Sequence, residues 1–450
     1  MKKLLITAAA LGLTLGFVAT ASATNGYFSH GYSIKEKGMA GAGVAAPMDA
    51  MGVANNPAGL TEVGNRFDLG LSIFSPSREY NVNRGAMAGP PFFELAAGTV
   101  ESDKDYFFIP NMAYSAQINE NSAWGIAVYG NGGMNTDYPT GPAGLPYGNT
   151  FYDPQSSSTG VDLMQLFIAP TYAYKFAGKH SFGITPIIGV QFFEARGLTN
   201  FGPFSTNDQK LTNNGHDTAF GFGGRIGYLG QLTDQFSIGL AYQTKIYMGE
   251  LDDYAGLFAE QGDFDIPSNW TIGVAFMPTP TVTLAFDVQQ INYSDVASIN
   301  NPMMNAAGNS LYGPLGSSAG AGFGWDDMTV FKFGLQWART EQWAYRFGYS
   351  YGEQPIEESM IPAQSAATFN ILAPGVIEQH ATFGLTYTFE NKGELDFSFM
   401  YAFENDVTGI NPLANNNPAY TPEGGVPGSP QIITLTMNQW ELGIGYSWKF

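Results

Sequence analysis

From Arg66 to the carboxyl terminus, apolar and polar positions alternate with a period of two. The last segment is the clearest. Trp440, Leu442, Ile444, Tyr446, Trp448 and Phe450 alternate with Gln439, Glu441, Gly443, Gly445, Ser447 and Lys449. The same rhythm runs through Phe236, Ile238, Leu240 and Tyr242, through Trp343, Tyr345, Phe347 and Tyr349, and through Phe383, Leu385, Tyr387 and Phe389. Successive side chains of a strand point to opposite faces, so each segment has one apolar or aromatic face and one polar or tiny face. A soluble β-sandwich alternates too. Water would penalise Tyr, Trp and Phe at nearly every outward position, however, whereas lipid would not. The pattern predicts an all-β transmembrane antiparallel barrel, lipid outside and a wet lumen inside.

About fourteen such strands can be drawn, an even number as in bacterial single-chain barrels. They cover 66–82, 99–117, 121–130, 161–177, 180–196, 216–231, 234–250, 264–278, 281–293, 325–338, 341–353, 379–390, 393–406 and 435–450. Connections alternate in length. Short turns lie at 118–120, 178–179, 232–233, 279–280, 340 and 391–392. Long loops rich in Gly, Pro, Asn and Ser lie at 83–98, 131–160, 197–215, 251–263, 294–324, 354–378 and 407–434. Short periplasmic turns and long outer loops are the usual polarity of such barrels, and an even count returns both chain ends to the periplasm.

Composition agrees. Only 13% of the 450 residues are charged, 14% are aromatic and 56 are Gly. Mean hydropathy is −0.08, and past residue 20 no apolar run is long enough to cross a bilayer as a helix. The 39 acidic against 19 basic residues leave no basic stripe for a nucleic-acid partner. The absence of Cys excludes disulfides and thiol chemistry. At the amino terminus, Lys2 and Lys3 precede an apolar run from Leu4 to Val18 and the small-residue site Ala21-Ser22-Ala23. This predicts a Sec-type signal peptide over 1–23, hence export. Losing its two lysines takes the formal charge from −20 to −22.

Residues 24–65 break the alternation and are rich in Ala, Gly and Met. They are too few for a core of their own and too uncharged for a solvated tail. They read as a plug, or hatch, inside a barrel spanning 66–450. Asn56-Pro57-Ala58 closes this segment as a fixed elbow, because proline holds Asn56 extended.

Enzyme chemistry is weakly represented. His30, His180, His216 and His380 have no metal-ligand spacing, and the glycines at 38–43 lack the strand a dinucleotide site requires. No cofactor or metal is expected. Acidic clusters at Asp252-Asp253, Glu260, Asp263, Asp265 and Glu357-Glu358 fall in outer loops without EF-hand spacing and read as a solvated loop face, a loosely bound divalent cation being the alternative. By strand parity, Arg225, Lys245, Lys332 and Arg346 face the lumen, where they could meet a ligand carboxylate or pair with lumen acids such as Asp287 and Glu441. Tyr446, Trp448 and Phe450 resemble the terminal signature read by barrel-assembly machinery; a plain interfacial girdle would use the same residues.

The chain resembles the outer-membrane long-chain fatty-acid and hydrophobic-compound transporters of the FadL/TodX type. The residues carrying the resemblance are the small-residue segment 38–46, Asp49, Asn56-Pro57-Ala58, Ile109-Pro110-Asn111 and Ala169-Pro170 through Tyr174-Lys175. Gly239-Leu240-Ala241-Tyr242 and Arg346-Phe347-Gly348-Tyr349, followed by Pro355-Ile356, belong with them. The resemblance implies a monomeric fourteen-stranded barrel with an amino-terminal hatch. It implies capture at an extracellular apolar groove, transfer to a pocket at the hatch tip, and sideways release into outer-membrane lipid through a kink in the third strand. The tip would be Thr24, Asn25, Gly26, Tyr27 and Phe28, and the kink Gly130, Asn131, Gly132 and Gly133. Passive uptake of long-chain fatty acids is the expected function. The same route for alkanes or aromatic hydrocarbons, an aqueous porin, a structural or adhesive envelope protein, and an outer-membrane enzyme are the competing readings.

Overall fold

A computed structural model describes residues 24–85, 93–139, 156–414 and 430–450; the expected signal peptide lies outside them. Fourteen antiparallel strands form the wall: β1 (Arg66–Val82), β2 (Phe107–Asn119), β3 (Ser122–Asn135), β4 (Ser158–Phe176), β5 (His180–Arg196), β6 (Asp217–Gln231) and β7 (Phe236–Gln243) make the first half. β8 (Asn269–Thr279), β9 (Val282–Ile291), β10 (Met328–Ala338), β11 (Trp343–Gly352), β12 (Gln379–Thr388), β13 (Glu394–Ile410) and β14 (Ile432–Lys449) make the second. Each pairs with its sequence neighbour, and β1 closes the ring against β14 from Arg66↔Lys449 to Val82↔Ile433. Closure removes the open edges that lipid could not satisfy.

The alternation works as a sorting rule. On β1, Leu69 and Leu71 are exposed while Ser72 and Phe74 are buried. The outward rows of Phe, Tyr, Ile and Trp extend around the wall. Turns are short on the rim where β1 begins and β14 ends, and long segments connect strands on the other.

Most strands shift at one end or both, the eighth starting at Asn269 and the thirteenth ending at Ile410; the second, seventh and third change in ways that matter for the site. The second is split: Gly98–Glu101 pairs with β1, then the charged run Glu101-Ser102-Asp103-Lys104-Asp105 interrupts the ladder before β2. The seventh stops at Gln243, because Thr244 turns its hydroxyl onto the backbone, accepting from Gly224 N at 3.1 Å. A two-residue stretch, Tyr247–Met248, follows. The third does not end at Gly130 but continues to Asn135.

Residues 24–65 pack against the inward face of the wall. They form one helical turn, α1 (Ile34–Lys37), and two 3-10 turns, Ala50–Ala54 and Pro57–Thr61. Ala40 N donates to Thr382 Oγ1 at 2.9 Å, and Gly43 N and Val44 N donate to Asp287 at 2.8 and 3.0 Å. The inward glycines face this segment rather than a wet lumen. A Cβ on Gly239 would stand 2.1 Å from Val44 O, and one on Gly183 would stand 2.3 Å from Pro57 C. Small residues on the inner face therefore make space for a second backbone.

Candidate functional site

The amino-terminal tip is a tight turn. Thr24 N and Asn25 N donate to Phe28 O at 3.1 and 3.0 Å, and Phe28 N returns to Asn25 O at 3.2 Å. Gly26 supplies the positive φ of 59°, a conformation costly for residues with a Cβ. Tyr27 and Phe28 are fully buried. The Tyr27 ring lies 5.5 Å from Tyr293, 6.1 Å from Trp325 and 6.2 Å from Phe264. Tyr293 donates its hydroxyl to Asn25 O at 2.5 Å and accepts from Tyr27 N at 3.2 Å.

This turn docks onto the glycine run of β3. Up to Tyr129, β3 pairs with β2, the last partner being Asn111. Beyond it the β2 residues Phe107, Phe108 and Ile109 pair with β1 and have no ladder partner on β3. The pairing with β4 slips by one residue between Gly130 and Gly132, so Asn131 is a bulge. From there to Asn135 every residue is buried, where alternation had held before. The backbone edge that β2 gives up is taken by the tip: Ser29 N donates to Asn131 O and Gly133 N to Tyr27 O, each at 3.0 Å. Glycine at 132 permits this approach, because a Cβ there would lie 1.8 Å from Tyr27 O. The Asn131 side chain points inward, accepting from Tyr32 Oη at 3.3 Å and donating to Gln165 at 3.0 Å.

Asn56 ties the segment's other end to the wall. Its amide donates to Val44 O at 2.7 Å and to Tyr228 O at 2.9 Å, while its carbonyl oxygen caps the next turn through Ala58 N at 3.0 Å. α1, capped by Ser33, points two lysines at strand carboxylates. Lys35 reaches Glu394 at 2.5 Å and Lys37 pairs with Glu441. Burial pushes the Glu36 carboxyl up to about 8, with nearby Asp49 adding to the shift, and neither of its oxygens has a hydrogen-bond partner among the described residues.

The four lumen bases are dispersed. Arg225 donates to Gln243 and, at 3.1 Å, to Tyr129 Oη. Lys332 donates to His30 O at 3.2 Å. Arg346 donates to Gln336 and Thr386 at 2.7 and 2.6 Å. Lys245 is not on a strand at all, since β7 ends at Gln243; it pairs with Asp265 at 2.7 Å in the following loop. The lumen acids Asp287 and Glu441 meet the amino-terminal segment instead. Tyr446 and Trp448 meet edge-on at 4.6 Å on the outer face, and Phe450 lies beyond β14, its N–H donating to Asn65 O at 3.2 Å.

Several groups escape a reading by motif. His30 and His380 stack with ring centroids 6.0 Å apart, across a sequence separation that no spacing rule covers. An apolar cavity among the long loops is lined by Phe193, Phe201, Phe258, Phe323 and Phe369. A second cavity, beside the β3 bulge, is lined by Gly26, Phe107, Gly133, Asn135, Trp325 and Arg78. Arg78 shares the inward parity of β1, so parity alone could have found it.

Known proteins place this arrangement. In solved structures the fold matches the toluene transporter TodX of P. putida at 17% identity and a TM-score of 0.66, covering 94% of this chain and 99% of that one. A Pseudomonas aeruginosa FadL homologue matches at 16% identity and 0.66, covering 94% and 100%. The long-chain fatty acid transport protein of Escherichia coli O6:H1 is 22% identical over 439 residues, 89% of this chain and 92% of that protein. The family profile described as outer membrane protein transport protein (OMPP1/FadL/TodX) matches residues 15–440. The chain therefore belongs to this family of outer-membrane transporters for hydrophobic compounds, whose members are transport channels rather than enzymes.

Proposed function

We propose that this protein takes up long-chain fatty acids passively: ligand enters the apolar cavity among the outer loops, displaces the amino-terminal tip, and leaves sideways between β2 and β3. The observation carrying this reading is the exchange of partners at the kink, where β3 abandons β2 and the tip of a different segment occupies its free edge. Unpaired backbone at membrane depth is tolerable only against protein or a cavity, so a movable segment there can cover an exit. A long acyl chain gains about 0.8 kcal/mol per buried CH₂. It therefore favours a lined apolar route over a water-filled pore.

Removing the bulged residue tests the route. Deleting Asn131 lets β3 keep register with β4 and extend its pairing along β2. In a strain lacking its own uptake barrel, the wild-type chain supports growth on oleate and the deletion variant does not, although its barrel stays heat-modifiable. Wild-type growth by an assembled variant would refute lateral exit. The phenylalanine-lined outer cavity favours a second cargo, monoaromatic hydrocarbons, so toluene is assayed in parallel; growth on toluene without oleate would reassign the substrate.

A further inference from the structure

We infer that the opening beside the kink contains a head-group subsite in which Arg78, with Asn135 and Tyr138, binds the carboxylate of an amphipathic acid. The inference rests on the uptake reading above and narrows its cargo from hydrophobic compounds in general to ionised acids.

Arg78 is buried on the inward face of β1. It donates from Nη1 to the backbone carbonyl of Asn135 and from Nη2 to that of Lys104. Its Nε has no hydrogen-bond partner among the described residues. No carboxylate of a described residue lies within ion-pairing distance of it, whereas Arg66 pairs with Asp68 and Glu394 and Arg196 reaches Asp137 and Glu194. Asp105 acts on it only at longer range and is exposed. A guanidinium keeps its proton in a protein, so this is a buried cation lacking a matched anion. Buried charges are otherwise paired.

The neighbours share the deficit. Both polar atoms of the Asn135 side chain and the Tyr138 hydroxyl are buried without a hydrogen-bond partner. Tyr138 sits edge-on to Tyr80 at 5.0 Å, near enough to Arg78 for the two to interact electrostatically. Arg78 and Asn135 thus line a cavity whose remaining wall is apolar, with Phe74, Phe107, Met134, Trp325 and Met437, and Tyr138 lies beside Arg78 outside that lining. The Phe107 ring lies 5.6 Å from the guanidinium carbon. A carboxylate accepts several charge-assisted hydrogen bonds at once, and an acyl chain suits the apolar wall. A neutral hydrocarbon fills the wall but leaves the donors unmet, a loss that discriminates strongly between ligands.

Equilibrium binding of oleate and of oleyl alcohol to the full-length protein in lipid nanodiscs at pH 8 tests this. The wild type binds oleate at least tenfold more tightly than the alcohol. Arg78→Gln lowers oleate affinity tenfold or more and leaves the alcohol unchanged, whereas Arg78→Lys retains most of the oleate preference. Equal wild-type affinity for the two ligands overturns the subsite, its donors then holding water only, while uptake of hydrophobic cargo stands. An undiminished oleate preference in Arg78→Gln moves the head group elsewhere and overturns it too. A wild type that binds neither ligand removes the uptake reading and the subsite together. The wild-type comparison needs no variant, so the inference remains refutable even if Arg78→Gln fails to assemble.

Discussion

Residue 132 is glycine because another segment's carbonyl stands where its side chain would be. With Tyr27 O 1.8 Å from an ideal Cβ, Gly132→Ala forces the tip away from β3. The two backbone hydrogen bonds joining Tyr27 and Ser29 to the kink would be lost. At about 1 kcal/mol net for each, the tip then opens roughly tenfold or more as often. Hydrogen exchange of the Ser29 and Gly133 amides reads this directly, and unchanged protection in the variant would show that the contact contributes nothing. The glycine run was legible as a weak point in a strand, since Gly and Asn interrupt a clean alternation. Its cause was not legible, because Tyr27 lies more than a hundred positions upstream. Arg78 illustrates the same divide. Parity puts it inside the barrel, but only the fold reveals that no carboxylate of a described residue pairs with it.

α1 is a single turn, far too short to be stable alone, and its sequence gives no helical periodicity to read. It exists through the Ser33 cap and through the two lysines it sends to the wall. Lys37, Glu441 and Ser72 form one buried group. Replacing Lys37 by Met strands the Glu441 carboxylate in a desolvated site, at a cost of about 3–5 kcal/mol. Adding Glu441→Leu removes the orphaned charge and restores much of that loss. Thermal unfolding of the two single variants and the double variant measures the coupling; simple additivity would mean that the pair does not anchor α1. Strands were far easier to read than this turn. β1 and β5 begin and end at the expected residues, 66–82 and 180–196, because alternation is strongest where one face meets lipid and the other a packed interior. β2 and β7 are shorter than the alternation predicts, since the charged run after Glu101 and the Thr244 hydroxyl compete for backbone that pattern alone assigns to the ladder.

At the scale of the whole molecule, the wall and the segment within it are electrostatically and sterically fitted to each other. Inward glycines admit the segment's backbone at Gly183, Gly239 and Gly348. The carboxylates of Asp287, Glu394 and Glu441 bind its amides and lysines. The alternation reveals that the inner face is small and polar, yet a water-filled pore and a filled barrel write nearly the same inner face. What separates them is ion flow. With residues 24–60 in place, the described interior is packed with buried side chains, so the full-length protein in a planar bilayer conducts little. Deleting 24–60 exposes the inner glycines and leaves those three carboxylates without partners from the segment. The variant is therefore expected to conduct steadily and to prefer cations, the preference fading as salt screens the acids. Heat-modifiable migration establishes that its barrel has assembled. Steady conductance by the full-length protein would instead indicate an open aqueous pore. A silent but assembled deletion variant would mean that something other than residues 24–60 closes the barrel, which leaves the lateral route at β3 as the only path still to be tested by ligand rather than by ions.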